Sequence, residues 1–313
     1  MNSSIAVVIL NWNGLKFLQE FVPILIERSP SNALEHTIYI ADNGSTDGSI
    51  EWLQSTYSHN ELQVVTLDRN YGFTGGYNRA FEKIKEQAYH KYYILLNSDV
   101  EVSQDWLSPL HQFMEERPEV GICGPKVRSY HNREYFEYAG ACGGMLNIFG
   151  YPYCRGRNLF GVEKDKGQYD TPTEIFWASG TSLMIRSELW HELGGLEESF
   201  FAHMEEIDLC WRAKRSGHQV WIVPQSVIYH VGGGTLSNNS PNKLYLNFRN
   251  NLLMLNRNLP PKGKKLKIFF RQCLDGVIAI IYLLTGKVPY FKAVIRAHKD
   301  YRAMISGYFH FSC

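Results

Sequence analysis

Four times between Ile5 and Asp99, an apolar run of five or six residues stops at a cluster of Asn, Ser, Asp or Gly and gives way to a segment of helical period. The runs are Ile5–Leu10, Thr37–Ala41, Leu62–Leu67 and Tyr92–Leu96. Runs this short and this continuously apolar read as buried strands, and after the first of them Leu15, Leu18, Phe21, Val22 and Leu25 recur at helical spacing. Strand, loop and helix in succession specify an α/β fold: a Rossmann-like, mostly parallel sheet flanked by helices. In such sheets ligands gather outside the carboxyl ends of the strands, so chemistry is to be sought where the apolar runs stop.

The fourth run stops at Asn97-Ser98-Asp99, which sets a carboxylate at the mouth of the crevice on a rigid element; a turn or a helix cap near Trp106 accounts for the same residues more simply. The second stops at Asp42, able to accept a hydrogen bond from the ring N–H of a pyrimidine base, or merely to flank a helix. Thr46 or Asp47 is the expected N-cap of the helix that follows, through Ile50, Trp52 and Leu53. After the third run, Gly72, Gly75 and Gly76 precede a helix expected over Tyr77 to about Gln87 and would let backbone approach a diphosphate at a helix N-terminus. No G-x-G-x-x-G follows the first strand, which counts against a nicotinamide-dependent enzyme.

At 313 residues the chain is expected to hold one large domain and an appendage. Lys and Arg number 32 against 31 Asp and Glu, so no general electrostatic field is available to hold nucleic acid. The six cysteines have no metal-site spacing and no signal peptide precedes Ile5, so a reducing, cytoplasmic setting is expected. Downstream, Ser103–Glu116 reads as a helix, Val120–Val127 and Ser182–Ile185 as strands, and Ser187–Leu193 as a short helix. The segment from Ser129 to about Asp170, rich in Tyr, Gly and Arg, has no period and reads as a long insertion or a hairpin excursion.

The densest chemistry lies in Phe200–Gly217, where Glu205, Glu206 and Asp208 open a helix. The helix dipole favours acids in a first turn, yet an exposed Glu-Glu pair at a crevice rim is also well placed as a general base for a hydroxyl. His230, followed by Val231 and Gly232-Gly233-Gly234, can approach a metal closely, although a lone histidine is more often structural.

The motifs, in order, are VVILNWNG, ADNGSTDGS, RNYGFTGGYNRA, NSD, WASGTSLMIR, FFAHMEEIDLCWR and YHVGGG. Together they resemble the inverting, nucleotide-sugar-dependent glycosyltransferases that include the bacterial rhamnosyltransferases, with the glycosyltransferase-A fold, over roughly Ile5 to Gly234. The resemblance implies that Asn11, Asp42, Asn70, Gly75, Asn97 and Ser98 surround the nucleotide sugar. It puts Asp99 on a divalent cation, Mg²⁺ or Mn²⁺, with His230 as a second ligand, and makes Trp177, Ser179 and Gly180 candidates for acceptor binding. Glu206 stands where the family usually has an Asp base, leaving Glu205 and Asp208 as rivals, and Asn97 replaces an acid of the metal motif. The implied activity moves one sugar, from dTDP-L-rhamnose or a UDP-sugar, to a saccharide or lipid-linked saccharide acceptor of the cell surface. The two departures are also what a non-catalytic sugar-nucleotide or carbohydrate-binding protein would show.

The expected division is a catalytic domain over 1–259, with a nucleotide-binding half to 127 and an acceptor half from 128, and a helical C-terminal extension over 260–313. A helix over about Lys243–Leu255 ends at Pro260-Pro261. Ile268–Leu284, with Lys287, Lys292, Arg296 and Lys299 nearby, reads as an amphipathic helix for an anionic membrane surface, for the main domain or for a second subunit of a homodimer.

Overall fold

The computed structural model describes residues 4–29, 34–138, 140–158, 161–232 and 240–308; Gly233, Gly234 and Cys313 lie outside them. The chain forms two compact units. The first comprises Met1–Met145, Tyr153–Phe201 and Glu205–Gly232, and the second Leu146–Pro152, Ala202–Met204 and Gly233–Cys313.

The first unit opens with the anticipated alternation: β1 (Ile5–Asn11), α1 (Leu15–Glu27), β2 (His36–Asp42), α2 (Ser49–Thr56), β3 (Gln63–Thr66), α3 (Gly72–Gln87) and β4 (Tyr92–Asn97). Next come β5 (Val100–Val102), α4 (Leu107–Glu115), β6 (Val120–Ser129) and five short strands, β7 (Gly144–Leu146) and β8 (Pro152–Cys154), whose Leu146 and Pro152 count with the second unit, then β9 (Arg157–Asn158), β10 (Gly161–Val162) and β11 (Thr173–Glu174). The unit closes with β12 (Ser182–Arg186), α5 (Ser187–Glu192), α6 (Glu205–Arg215) and β13 (Gln219–His230). The main sheet runs β11-β13-β6-β12-β4-β1-β2-β3, with β5 on β13. The β1–β2, β1–β4, β2–β3 and β6–β13 pairs are parallel, whereas β12 is antiparallel to both β4 and β6.

Both faces of β1 are covered, which is why its apolar run does not alternate. Ile5, Val7 and Ile9 share a core with Leu18, Val22 and Leu25 of α1, Leu53 of α2 and Leu110 of α4. On α3, Tyr77 donates to Leu96 O and Phe81 stacks on Tyr93 with ring centroids 4.3 Å apart.

Three local expectations shift. Helix α3 begins at Gly72, five residues before the expected start, because its glycines belong to the first turn: a Cβ on Gly76 would stand 2.8 Å from Leu10 of β1. Helix α4 begins at Leu107 because Asp105, at φ +53°, breaks the backbone before it. Strand β6 continues to Ser129, held there by β13. That pairing has a gap in register: Gln219–Val223 lie along Val120–Pro125 and Val227–His230 along Lys126–Ser129, with 224–226 bulged out between.

In the second unit α7 (Pro241–Asn258), α8 (Lys264–Leu284) and α9 (Val288–Tyr308) share a small core of Phe248, Ala279, Val294 and Ala297. Helix α7 therefore groups with the C-terminal helices, where the sequence division placed a boundary after 259. Ser240 caps α7 by accepting from Lys243 N, and Pro241 follows it.

Candidate functional site

The strand ends bring most of the selected residues to one edge of the sheet. Asn11 and Asp42 are register partners at the carboxyl ends of β1 and β2, and Asn97 lies across from Leu10 on the other side of β1. Asn11 Nδ2 donates to Asp42 Oδ1 at 3.0 Å and Ser45 N to Asp42 Oδ2 at 2.8 Å. Each carboxylate oxygen of the buried Asp42 thus accepts one bond and keeps a lone pair. Asn11 Oδ1 is buried with no hydrogen-bond partner among the described residues. A buried acceptor left unpaired is uncommon enough to require an account.

Asn70 is exposed and shapes the loop: its Oδ1 accepts from Gly72 N at 2.8 Å and from Asn43 Nδ2 at 3.1 Å. Asn43 in turn accepts from Tyr71 N, so the two amides fix the entry to α3, at whose first turn Gly75 is buried. Two guanidiniums lie over the Tyr71 ring, Arg69 at 4.8 Å and Arg79 at 3.8 Å from its centroid. The sequence reading did not single out Asn43, Tyr71 or Arg79.

Beyond β4 the chain passes through Ser98 to Asp99 and straight into β5, whose pairing with β13 sets Val100 opposite His230. Val231 N donates to Asp99 O at 3.1 Å. The result is His230 Nε2 at 3.2 Å from Asp99 Oδ1, with His230 Nδ1 3.6 Å from Glu137 Oε1. All three residues are buried. Burial opposes a charge on the imidazole, but the Asp99 and Glu137 carboxylates outweigh it and push the ring up to about 10. His230 Nδ1 has no hydrogen-bond partner among the described residues.

The Asp99 carboxylate and the His230 imidazole are donor types that Mg²⁺ or Mn²⁺ accepts, and as a pair they offer two ligands. Among the described residues no group of three or more His, Cys, Asp or Glu is placed so that it could hold a metal ion. Glu137 was missed because it lies in the aperiodic stretch after Ser129; its N donates to Val127 O, an edge contact that leaves no pattern in the sequence.

Three carboxylates open α6, and the structure separates them. Asp208 is fully buried and ion-paired to Arg212 at 2.7 Å, whose other nitrogens donate to Leu193 O and Gly195 O. Glu205 was read as exposed and is instead buried; burial, and after it the Glu206 carboxylate, hold its carboxyl well above the usual carboxylate range. Glu206 alone is partly exposed. It packs beside Gly180, where an added Cβ would lie 3.6 Å from Glu206 Cβ, and the next residue, Thr181, accepts from Asn97 N at 3.0 Å. These contacts tie the start of α6 to the strand end that carries Asp99.

Of the acceptor candidates, Gly180 is half-exposed, while Ser179 is buried with its Oγ accepting from Thr181 N. Trp177 is also buried, its indole against Gly144 so closely that a Cβ there would fall 1.8 Å from the ring. That burial gives Trp177 a packing role beneath this wall.

A profile described as "Glycosyl transferase family 2" matches residues 6–191. An N-acetylglucosaminyl-diphospho-decaprenol L-rhamnosyltransferase of Mycobacterium tuberculosis is 25% identical over 207 residues, 62% of this chain and 66% of that protein. The low-salt glycan biosynthesis hexosyltransferase Agl10 of Haloferax volcanii is 24% identical over 223 residues, 69% of this chain and again 66% of the relative. The chain therefore spans just under two thirds of the length of these relatives. Among solved structures, GalNAc-T7 with UDP, GalNAc and Mn²⁺ has a TM-score of 0.62 at 16% identity, covering 82% of this chain and 48% of that one. S. aureus TarS 1-349 in complex with UDP-GlcNAc has a TM-score of 0.59 at 15% identity, covering 95% and 81%. At these identities the structures bear on the fold, a mostly parallel sheet flanked by helices of the glycosyltransferase-A type.

Proposed function

The chain belongs to glycosyl transferase family 2, and from that membership we propose that it transfers one sugar, with inversion, from a nucleoside-diphosphate sugar to a hydroxyl of a saccharide or lipid-linked saccharide. The rhamnosyltransferase relatives favour dTDP-L-rhamnose as donor, with UDP-sugars next. The observation that carries the reading is the buried Asp99–His230 pair at the carboxyl end of β4, tied through Thr181 and Gly180 to Glu206.

In this reading Asn11 and Asp42 hold the base, through the unpaired Asn11 Oδ1 and the remaining lone pairs of Asp42. Asp99 and His230 hold the cation, with Glu137 against the second ring nitrogen. A bound Mg²⁺ or Mn²⁺ supplies Lewis-acid stabilisation of the departing diphosphate. Glu206 accepts the proton of the attacking hydroxyl, because a base must reach the acceptor and the other two carboxylates of α6 are buried. Inversion follows from one displacement, with no protein nucleophile on the sugar.

The test is nucleotide release from dTDP- and UDP-sugars with saccharide acceptors, with and without Mn²⁺, in the natural protein and in folded Asp99→Ala. Asp99→Ala should lose most turnover together with the metal dependence of donor binding. Unchanged Mn²⁺-dependent turnover in that variant removes the metal assignment. Donor binding without release to any acceptor identifies a binding protein.

A further inference from the structure

Helix α8 has its polarity reversed relative to a helix packed on a protein core. Between Lys267 and Lys287 the two charged residues, Arg271 and Asp275, both point inward. They pair with each other at 2.9 Å, and Asp275 also accepts from Tyr151 OH at 2.7 Å and lies 3.1 Å from His298 Nε2. The outward face is apolar: Leu266, Phe270, Leu274, Val277, Ile281 and Leu284 recur at spacings of three and four and are each between 36% and 80% exposed. That stripe is about 27 Å long at 1.5 Å per residue. An apolar surface of this extent marks a site of contact.

The charge distribution says what covers it. From Pro260 to Cys313 there are ten Lys and Arg and two Asp, a net +8, whereas the whole chain nets +1, so the remaining residues carry −7. Both acids of the segment are engaged within the second unit, Asp275 as above and Asp300 by Tyr245 OH at 2.6 Å. Lys264, Lys265 and Lys267 border the stripe at one end and Lys287 at the other. An isologous dimer through this face would bring two +8 segments together. No described helix is long and apolar enough to cross a membrane. We infer that α8 lies in the plane of an anionic lipid surface, with its apolar stripe in the headgroup–acyl boundary and the flanking lysines on the headgroups. This docking is independent of sugar transfer.

The experiment is flotation of the full-length protein with vesicles of phosphatidylglycerol and phosphatidylcholine, and of phosphatidylcholine alone, at low and high salt. Flotation with the anionic vesicles at low salt, at least tenfold weaker on neutral ones and reduced by salt, is expected. The double substitution Phe270→Asp and Ile281→Asp, on the exposed face, should abolish flotation without changing the circular dichroism spectrum. Replacing Lys264, Lys265 and Lys267 with Ser should weaken it roughly a hundredfold, a second route that leaves the apolar stripe intact. Equal flotation with neutral vesicles, or none with anionic ones at low salt, overturns the inference. So does a dimer in sedimentation velocity that the Asp double variant dissolves, since a second copy then covers the stripe.

Discussion

Among single residues, burial decides between carboxylates that look equivalent in sequence. Replacing Glu206 with Gln keeps its shape and removes its basicity, so kcat should fall about 10²- to 10⁴-fold with donor affinity nearly intact. Asp208→Asn should act on stability instead: it leaves the Arg212 guanidinium without its buried counter-charge, a change that typically costs ~3–5 kcal/mol and is measurable by denaturant unfolding. A stable, inactive Asp208→Asn beside a fully active Glu206→Gln would move the base to Asp208. Glu205 carries a pH signature. Its folded-state pKa lies above the unfolded one, so its contribution to stability is complete below about pH 4.3 and is lost as pH rises towards the raised value. Glu205→Gln escapes that loss, and its melting temperature should gain on the natural protein as pH rises above about 4.3. A difference that stays flat with pH rejects the raised value. The three acids were visible in FFAHMEEIDLCWR, but the first-turn dipole rule that makes them agreeable to a helix does not say which of them faces inward. Glu137 was invisible for the complementary reason: nothing in an aperiodic segment reveals where a loop folds back.

For the elements, the strand ends were legible because a doubly covered sheet writes each strand as one apolar run and each crevice residue just after it. Asp42 and Asp99 came from that rule, while Asn11, also just past an apolar run, was placed by the family resemblance. Helix starts were less legible, because glycine reads as a loop residue while Gly72, Gly75 and Gly76 serve as close-packing residues within a helix. The N-cap of α2 is Gly48, at φ +83°, and neither Thr46 nor Asp47 as expected; Asp47 acts from the residue before it. Asp47 Oδ1 accepts from Ser49 N at 3.1 Å, and Oδ2 accepts from Leu15 N at 2.9 Å, so one side chain serves the first turns of α1 and α2 together. Asp47→Ala should therefore cost about 1–2 kcal/mol, more than an average single cap. Urea unfolding reads the cost; a loss below about 0.5 kcal/mol would leave only one of the two caps with energetic weight.

Across the whole molecule, a nearly neutral chain conceals two segments of opposite charge, and total composition cannot show that the basic excess sits in the last helices. The donor site proposed above, by contrast, draws on the ends of β1, β2 and β4 together, so ligand binding should register as global stability. With Mn²⁺ present, a nucleotide sugar at a hundred times its Kd should add about 2.7 kcal/mol to unfolding, and a chelator should remove most of that increment. An increment indifferent to the chelator would place the donor away from Asp99. The gap in the β13 ladder has a consequence for how such a chain tolerates change in length. Ser226, Ile228 and His230 face inward and alternate with half-buried Val227 and Tyr229, so the ring reaches Asp99 by parity as much as by identity. Slack exists at 224–226, where an added or lost residue leaves the count from Val227 onward unchanged. After Val227 each residue is matched by β6 on one side, and Ile228–His230 by β5 on the other, so one residue more or fewer would present Tyr229 or Val231 to Asp99 and turn the imidazole away.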